Sequence, residues 1–240
     1  MARKRRSTRR KKGGARWVFR LIALAVLAAI IAAAWFWWSM REWRPSEQEY
    51  PEQGAVIASG AGPTKFETVK ALGGDFAYLA LGAHSAEPDE AFAARLKSAQ
   101  DAGLEVGVVY PFDPCQRADP QSARFTRMVP RDAGLLPPAI ALLRVADGCE
   151  PSVSDAAVES ELMILVNQIE RHAGKPSILK LGEAFETRHN TARSLDRDLW
   201  LMRERARPDY APRPWLLWSA NSQLVSDASE EPIEWVVVQK

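Results

Sequence analysis

Two cysteines and three histidines are all that this chain of 240 residues carries. So few cysteines exclude a disulfide-dense scaffold and a four-cysteine zinc ribbon. His84, His172 and His189 stand too far apart for metal-ligand spacing. Neither a metal nor a cofactor is expected. Nucleotide loops are lacking too, because Gly60-Ala61-Gly62-Pro63-Thr64-Lys65 has neither P-loop nor dinucleotide spacing. With 47% hydrophobic residues the chain is neither disordered nor collagen-like. Negative charge is absent from one end. No acid precedes Glu42, while Arg3, Lys4, Arg5, Arg6, Arg9, Arg10, Lys11, Lys12, Arg16 and Arg20 are all cationic. The formal net charge of +2 therefore hides a basic tail followed by a mildly acidic remainder.

Residues 21–38 read LIALAVLAAIIAAAWFWW, without a charge. As a helix they extend ~27 Å, close to the hydrocarbon thickness of a bilayer. Trp35, Phe36, Trp37, Trp38 and Trp43 cluster at the far end, where aromatic rings favour the membrane interface. The positive-inside rule keeps the cationic end in the cytoplasm. The expected organisation is a basic cytoplasmic tail (1–20), a transmembrane anchor (21–40), a polar linker (41–52) and an exported domain (53–240). In a bacterium this is a single-pass inner-membrane protein whose C-terminal domain is periplasmic or extracellular. A cleaved leader ending at Ala32-Ala33-Ala34 is the competing reading; the bulky aromatics that follow suit an anchor better. Topology and anionic lipid attraction account for the tail, so no nucleic-acid partner is expected. In an oxidising compartment Cys115 and Cys149 are candidates for a disulfide contributing ~3–4 kcal/mol. Two buried free thiols are the alternative.

Beyond the linker, short apolar runs alternate with amphipathic ones. Strands are expected at 55–59, 76–81, 105–110, 139–145, 177–181, 199–203, 215–219 and 233–238. Helices are expected at 65–72, 88–102, 121–128 and 155–173. The last is the clearest, with Val158, Leu162, Leu165 and Ile169 on one face and Gly174 as its cap. Such alternation indicates parallel βαβ units. Eight strands in about 190 residues predict an α/β fold, a small TIM-like barrel with shortened last helices, with an open doubly wound sheet as the alternative.

Several motifs, in order, resemble glycoside hydrolase family 25, the muramidase or lysozyme-like barrels that cut peptidoglycan. They are Gly54-Ala55-Val56-Ile57-Ala58, Phe66-Glu67-Thr68-Val69-Lys70, Asp75-Phe76-Ala77-Tyr78-Leu79, Asp89 with Phe92, and Ala102-Gly103-Leu104. Gln121-Ser122-Ala123-Arg124-Phe125, Leu136-Pro137-Pro138, Gly174-Lys175-Pro176, Leu199-Trp200-Leu201 and Pro214-Trp215-Leu216-Leu217-Trp218 complete the series. The resemblance implies a barrel over 53–240 that acts on cell-wall glycan. It also implies catalytic acids, which this chain replaces. The first-strand Asp position falls on Val56, and the Asp-x-Glu of strand four falls on Ala141 and Leu143. Gly82-Ala83-His84 stands in place of Thr-Glu-Gly, Val109-Tyr110 in place of Tyr-His, and Leu179 in place of a tyrosine. Glycoside cleavage needs a carboxylic acid and a second carboxylate, which Ala, Leu and Val cannot supply. The expectation is a catalytically degenerate domain that binds peptidoglycan or an envelope protein. Tyr110, Asp113, Trp200, Trp218 and Glu234 are the candidate cleft and glycan-binding residues. An active muramidase working through non-standard carboxylates such as Glu234 and Asp113 is the alternative, and Glu204 is a further acid near the same face.

Overall fold

A computed structural model describes residues 13–82, 90–131 and 134–239. The chain divides into two units, one ending at Glu42 and one covering Trp43–Lys240. In the first, α1 (Gly13–Arg41) is a continuous helix of 29 residues. Its stretch Trp17–Arg41 is long and apolar enough to cross a membrane. Large apolar side chains from Trp17 to Trp38 are exposed around it. Arg41 lies in the last turn with its guanidinium 4.8 Å from the Trp37 ring, a cation placed where the helix dipole favours one.

The second unit is a closed barrel in which β1 to β8 follow one another around the ring. The strands are β1 (Gln53–Ile57), β2 (Phe76–Ala80), β3 (Glu105–Pro111), β4 (Ala139–Leu142), β5 (Ile178–Leu181), β6 (Leu199–Met202), β7 (Leu217–Leu224) and β8 (Ile233–Val238). Strands β1 to β7 pair in parallel, whereas β8 runs antiparallel to both β7 and β1. No helix separates β7 from β8. None separates β6 from β7 either; the connections from β1 through β6 carry α2 (Phe66–Ala71), α3 (Glu90–Asp101), α4 (Ala118–Met128), α5 (Asp155–Ala173), and the pair α6 (Glu183–His189) and α7 (Thr191–Ser194). In α5, Ser154 caps the first turn by accepting from Ala157 N, and Gly174 ends the helix at φ 67°, the left-handed turn that glycine adopts without strain.

Alternation along the strands sorts the core into two layers. Val56, Phe76, Tyr78, Val109, Ala139, Ala141, Ile178, Trp200, Leu217 and Val236 fill the inside of the barrel. Residues of the other parity pack outward against the helices. Two glycines make room for the inner aromatics. A methyl group at Gly54 would overlap the Phe76 ring, and one at Gly107 the Tyr78 ring.

Beyond shifts of two or three residues at β1 and at the start of α4, the structure departs from the sequence expectations in four places. Strand β4 stops at Leu142, where its ladder with β5 ends at Leu181. Strand β7 begins later and runs further, because its ladder with β8 continues through two irregularities to Leu224. Helices α6 and α7 were not anticipated. The expected polar linker is no free stalk, since Trp43 onward belongs to the barrel unit, and Pro45 and Tyr50 are buried. Gln53 Nε2 donates to Pro45 O and Tyr50 O at 3.2 and 2.7 Å, while its Oε1 accepts from Trp235 Nε1 at 2.6 Å. Asn221 Nδ2 donates to Trp43 O, and the Arg44 guanidinium lies 5.0 Å from the Trp235 ring. The segment thus straps the outside of the antiparallel wall, where no helix is available. The substituted motif at Gly82-Ala83-His84 extends past the described residues after Gly82, and the expected helix start at Pro88 and Asp89 also lies outside them.

Candidate functional site

Sites on α/β barrels form at the C-terminal ends of the parallel strands. At that end Ala141 of β4 pairs with Lys180 of β5, which pairs with Trp200 of β6. Val56 of β1 sits between Tyr78 of β2 and Glu234 of β8. Val56 and Ala141 are buried. Leu143, just past the end of β4, is half exposed.

Lys180 and Glu234 dominate this mouth. Lys180 Nζ donates to both carboxylate oxygens of Glu234, at 2.6 and 2.7 Å. Ser219 Oγ also donates to Glu234 Oε1 and accepts from Trp200 Nε1 at 2.7 Å. The Lys180 ammonium lies 4.5 Å from the Trp200 ring centre, within cation–π range. The lysine side chain is 4% exposed and the glutamate 16%. A buried charge must be paired and hydrogen-bonded, and this network does both. Tyr78 packs edge-on to Trp200 at 5.0 Å and donates to Pro137 O at 3.1 Å. Burial, with a smaller contribution from Glu105, pushes its phenol well above the ordinary range.

The five candidate cleft residues separate into three groups. Trp200 and Glu234 meet inside the mouth. Tyr110 and Trp218 face the other way, which corrects their expected place in the cleft. Trp218 lies between the inward Leu217 and Ser219, so the strand pleat turns it outward. It donates to Arg203 O at 2.8 Å and packs edge-on to Tyr50 and Trp215. Tyr110 is buried against Phe125 at 5.9 Å. Burial pushes its phenol up against the opposing pull of Arg124. Asp113 lies just past β3 and organises its loop. It accepts from Cys115 N at 3.0 Å, Gln116 Nε2 at 2.7 Å and Arg144 Nη1 at 3.4 Å. Glu204 accepts from Ser222 N at 3.0 Å. Cys115 and Cys149 form a disulfide with a Cα separation of 5.2 Å, which removes the free-thiol alternative. It ties the loop after β3 to the loop after β4.

Sequence reasoning overlooked Lys180 and Ser219. The available signal was a single lysine inside the otherwise apolar Ile178-Leu179-Lys180-Leu181. Among the described residues, no group of three or more His, Cys, Asp or Glu side chains is placed to hold a metal ion.

No family model and no curated protein matches this sequence. Solved structures do match. A family 25 glycosyl hydrolase from Bacillus anthracis superposes with a TM-score of 0.71 at 22% identity, over 82% of this chain and 92% of its own. The bacterial lysozyme from Streptomyces coelicolor gives 0.66 at 16% identity, over 79% and 92%. A muramidase from Acremonium alcalophilum gives 0.64 at 18% identity, over 79% and 94%. The barrel of this chain thus has the fold of the family 25 glycoside hydrolases.

Proposed function

We propose that this protein is a membrane-anchored, non-catalytic member of the lysozyme-like barrels, and that it binds peptidoglycan through the face at the barrel mouth. The carrying observation is the state of Glu234. This carboxylate accepts from Lys180 twice and from Ser219 once, so both of its oxygens are already engaged within the barrel. Val56 beside Glu234 and Ala141 beside Lys180 have no ionisable group. Asp113, the other candidate acid, is committed to its own loop and to Arg144. Glycosidases need one carboxyl group to protonate the leaving oxygen and a second for the developing charge. The names lysozyme and muramidase on the similar structures support the choice of glycan.

The anchor reading rests on α1, whose Trp17 and Trp35 lie ~27 Å apart along the axis, one at each interface. With the basic tail in the cytoplasm, the barrel is extracytoplasmic. A reporter fused after Lys240 tests this, and a cytoplasmic signal would remove the export reading. For function, the full chain in lipid nanodiscs is incubated with purified peptidoglycan sacculi. The expected result is co-sedimentation above a charge-matched control, with no soluble muropeptides released. Release that disappears in Glu234→Gln would establish a working hydrolase instead. Absence of co-sedimentation would point to an envelope protein as partner.

A further inference from the structure

A cavity of about 310 Å³ opens at the end of the barrel opposite the mouth. It lies between the C-terminal ends of α4 and α5 and the segment leading into β4. Phe125, Val129, Leu135 and Leu136 supply apolar wall, and Arg131 and Lys175 stand at the rim. No carboxylate lines it among the described residues. One rim cation is held in place by a short relay. Arg131 Nε donates to His172 Nδ1 at 3.3 Å, so the ring proton sits on Nε2 and points to Val129 O, 2.8 Å away. The Phe125 ring packs edge-on to the same imidazole at 5.8 Å. Lys175 Nζ donates to Leu135 O on the other side. The Arg131 fork is thereby oriented on a residue that is itself exposed.

An apolar hollow with a few convergent polar groups is the usual form of a small-molecule site, and this volume is at the lower end of that range. Two cations with no acid beside them among the described residues select negative charge, and a guanidinium fork matches a carboxylate. We infer that this cavity binds a small organic anion, a carboxylate on a compact apolar body, with the carboxylate on Arg131 and Lys175 and the body against Phe125 and Leu136. The inference is independent of the mouth and of any reading of its function.

The test uses the full chain in lipid nanodiscs, with empty nanodiscs as the blank. Calorimetric titration compares 4-phenylbutyrate with 4-phenylbutanol, the same body without the charge. Saturable binding of the carboxylate is expected, with the alcohol roughly tenfold weaker, the loss of about one charge-assisted hydrogen bond. Arg131→Gln should weaken the carboxylate by a similar factor. Ala173→Phe, which fills the cavity from its half-exposed helix end, should abolish binding while leaving the melting temperature close to that of the parent. Equal binding of acid and alcohol, no saturable binding, or binding unaffected by both variants overturns the inference.

Discussion

Lys180 and Glu234 form a two-pronged ion pair between β5 and β8, strands that are not neighbours in the ring. The pair therefore crosses the hollow that the fold offers as a site. The mouth is closed by an internal salt bridge, with Ser219 and Trp200 satisfying what the lysine leaves open.

Breaking that pair from one side should be costly. Lys180→Met leaves Glu234 with a charge and only Ser219 to support it, and removal of one partner from a buried pair costs about 3–5 kcal/mol. Replacing both residues by apolar ones of similar volume, Lys180→Met with Glu234→Leu, should recover most of that loss. Denaturant unfolding of the two single variants and the double variant gives the coupling directly. A Lys180→Met variant as stable as the parent would show that the pair is not held as described.

The Cys115–Cys149 disulfide closes a loop of 34 residues. In the chain-entropy model that constraint contributes about 3–4 kcal/mol, mainly by restricting the unfolded chain. Cys115→Ser with Cys149→Ser should lower the unfolding free energy by that amount and make the melting temperature indifferent to reductant. The parent should melt lower when reduced, converging on the double variant.

Gln53 links the strap to the barrel wall. Its amide serves Pro45 O, Tyr50 O and Trp235 Nε1 at once. Gln53→Leu would leave the buried indole N–H and two carbonyls without that partner, at a cost of roughly 3 kcal/mol. Gln53→Glu keeps the acceptor for Trp235 but, when ionised, has no donor; it should be intermediate only at a pH where the new carboxyl is protonated and can donate once. Amide exchange across residues 45–52 should accelerate in Gln53→Leu before it does in the rest of the barrel.

Much of this architecture is legible in the chain. Helix α5 announces itself through Gly174 and the spacing of Val158, Leu162, Leu165 and Ile169. The buried strands show as short apolar runs such as Ala139-Ile140-Ala141-Leu142, which parallel pairing on both faces requires. What stayed hidden depends on contacts between distant positions. Lys180 and Glu234 are 54 residues apart, so neither reveals the other. The strap's WRPSEQEYPE (43–52) carries no apolar period, and only tertiary hydrogen bonds distinguish it from a linker. Helices α6 and α7, of seven and four residues, are too short to display periodicity. The outward turn of Trp218 depends on strand register, and a one-residue change of register reverses every side chain.

Acid sensitivity should come in part from Glu170, near the end of α5. Burial alone would raise its carboxyl, but Arg197 and Ser177 outweigh burial and hold it below its ordinary value of 4.5. Arg197 donates to both carboxylate oxygens at 2.6 and 3.0 Å, and Ser177 donates from its backbone N–H and its hydroxyl at 2.9 and 2.8 Å. A carboxyl depressed in the folded state contributes stability that is fully present above its ordinary pKa and is lost as pH falls through the folded value. Glu170→Gln should therefore be less stable than the parent at pH 7, and the gap should shrink steadily as the pH falls from about 5 to 3. Urea unfolding at pH 7, 4.5 and 3 reads this difference, since the remaining carboxylates titrate alike in both proteins. A gap that stays constant across that window would mean that Glu170 is not held ionised by Arg197 and Ser177.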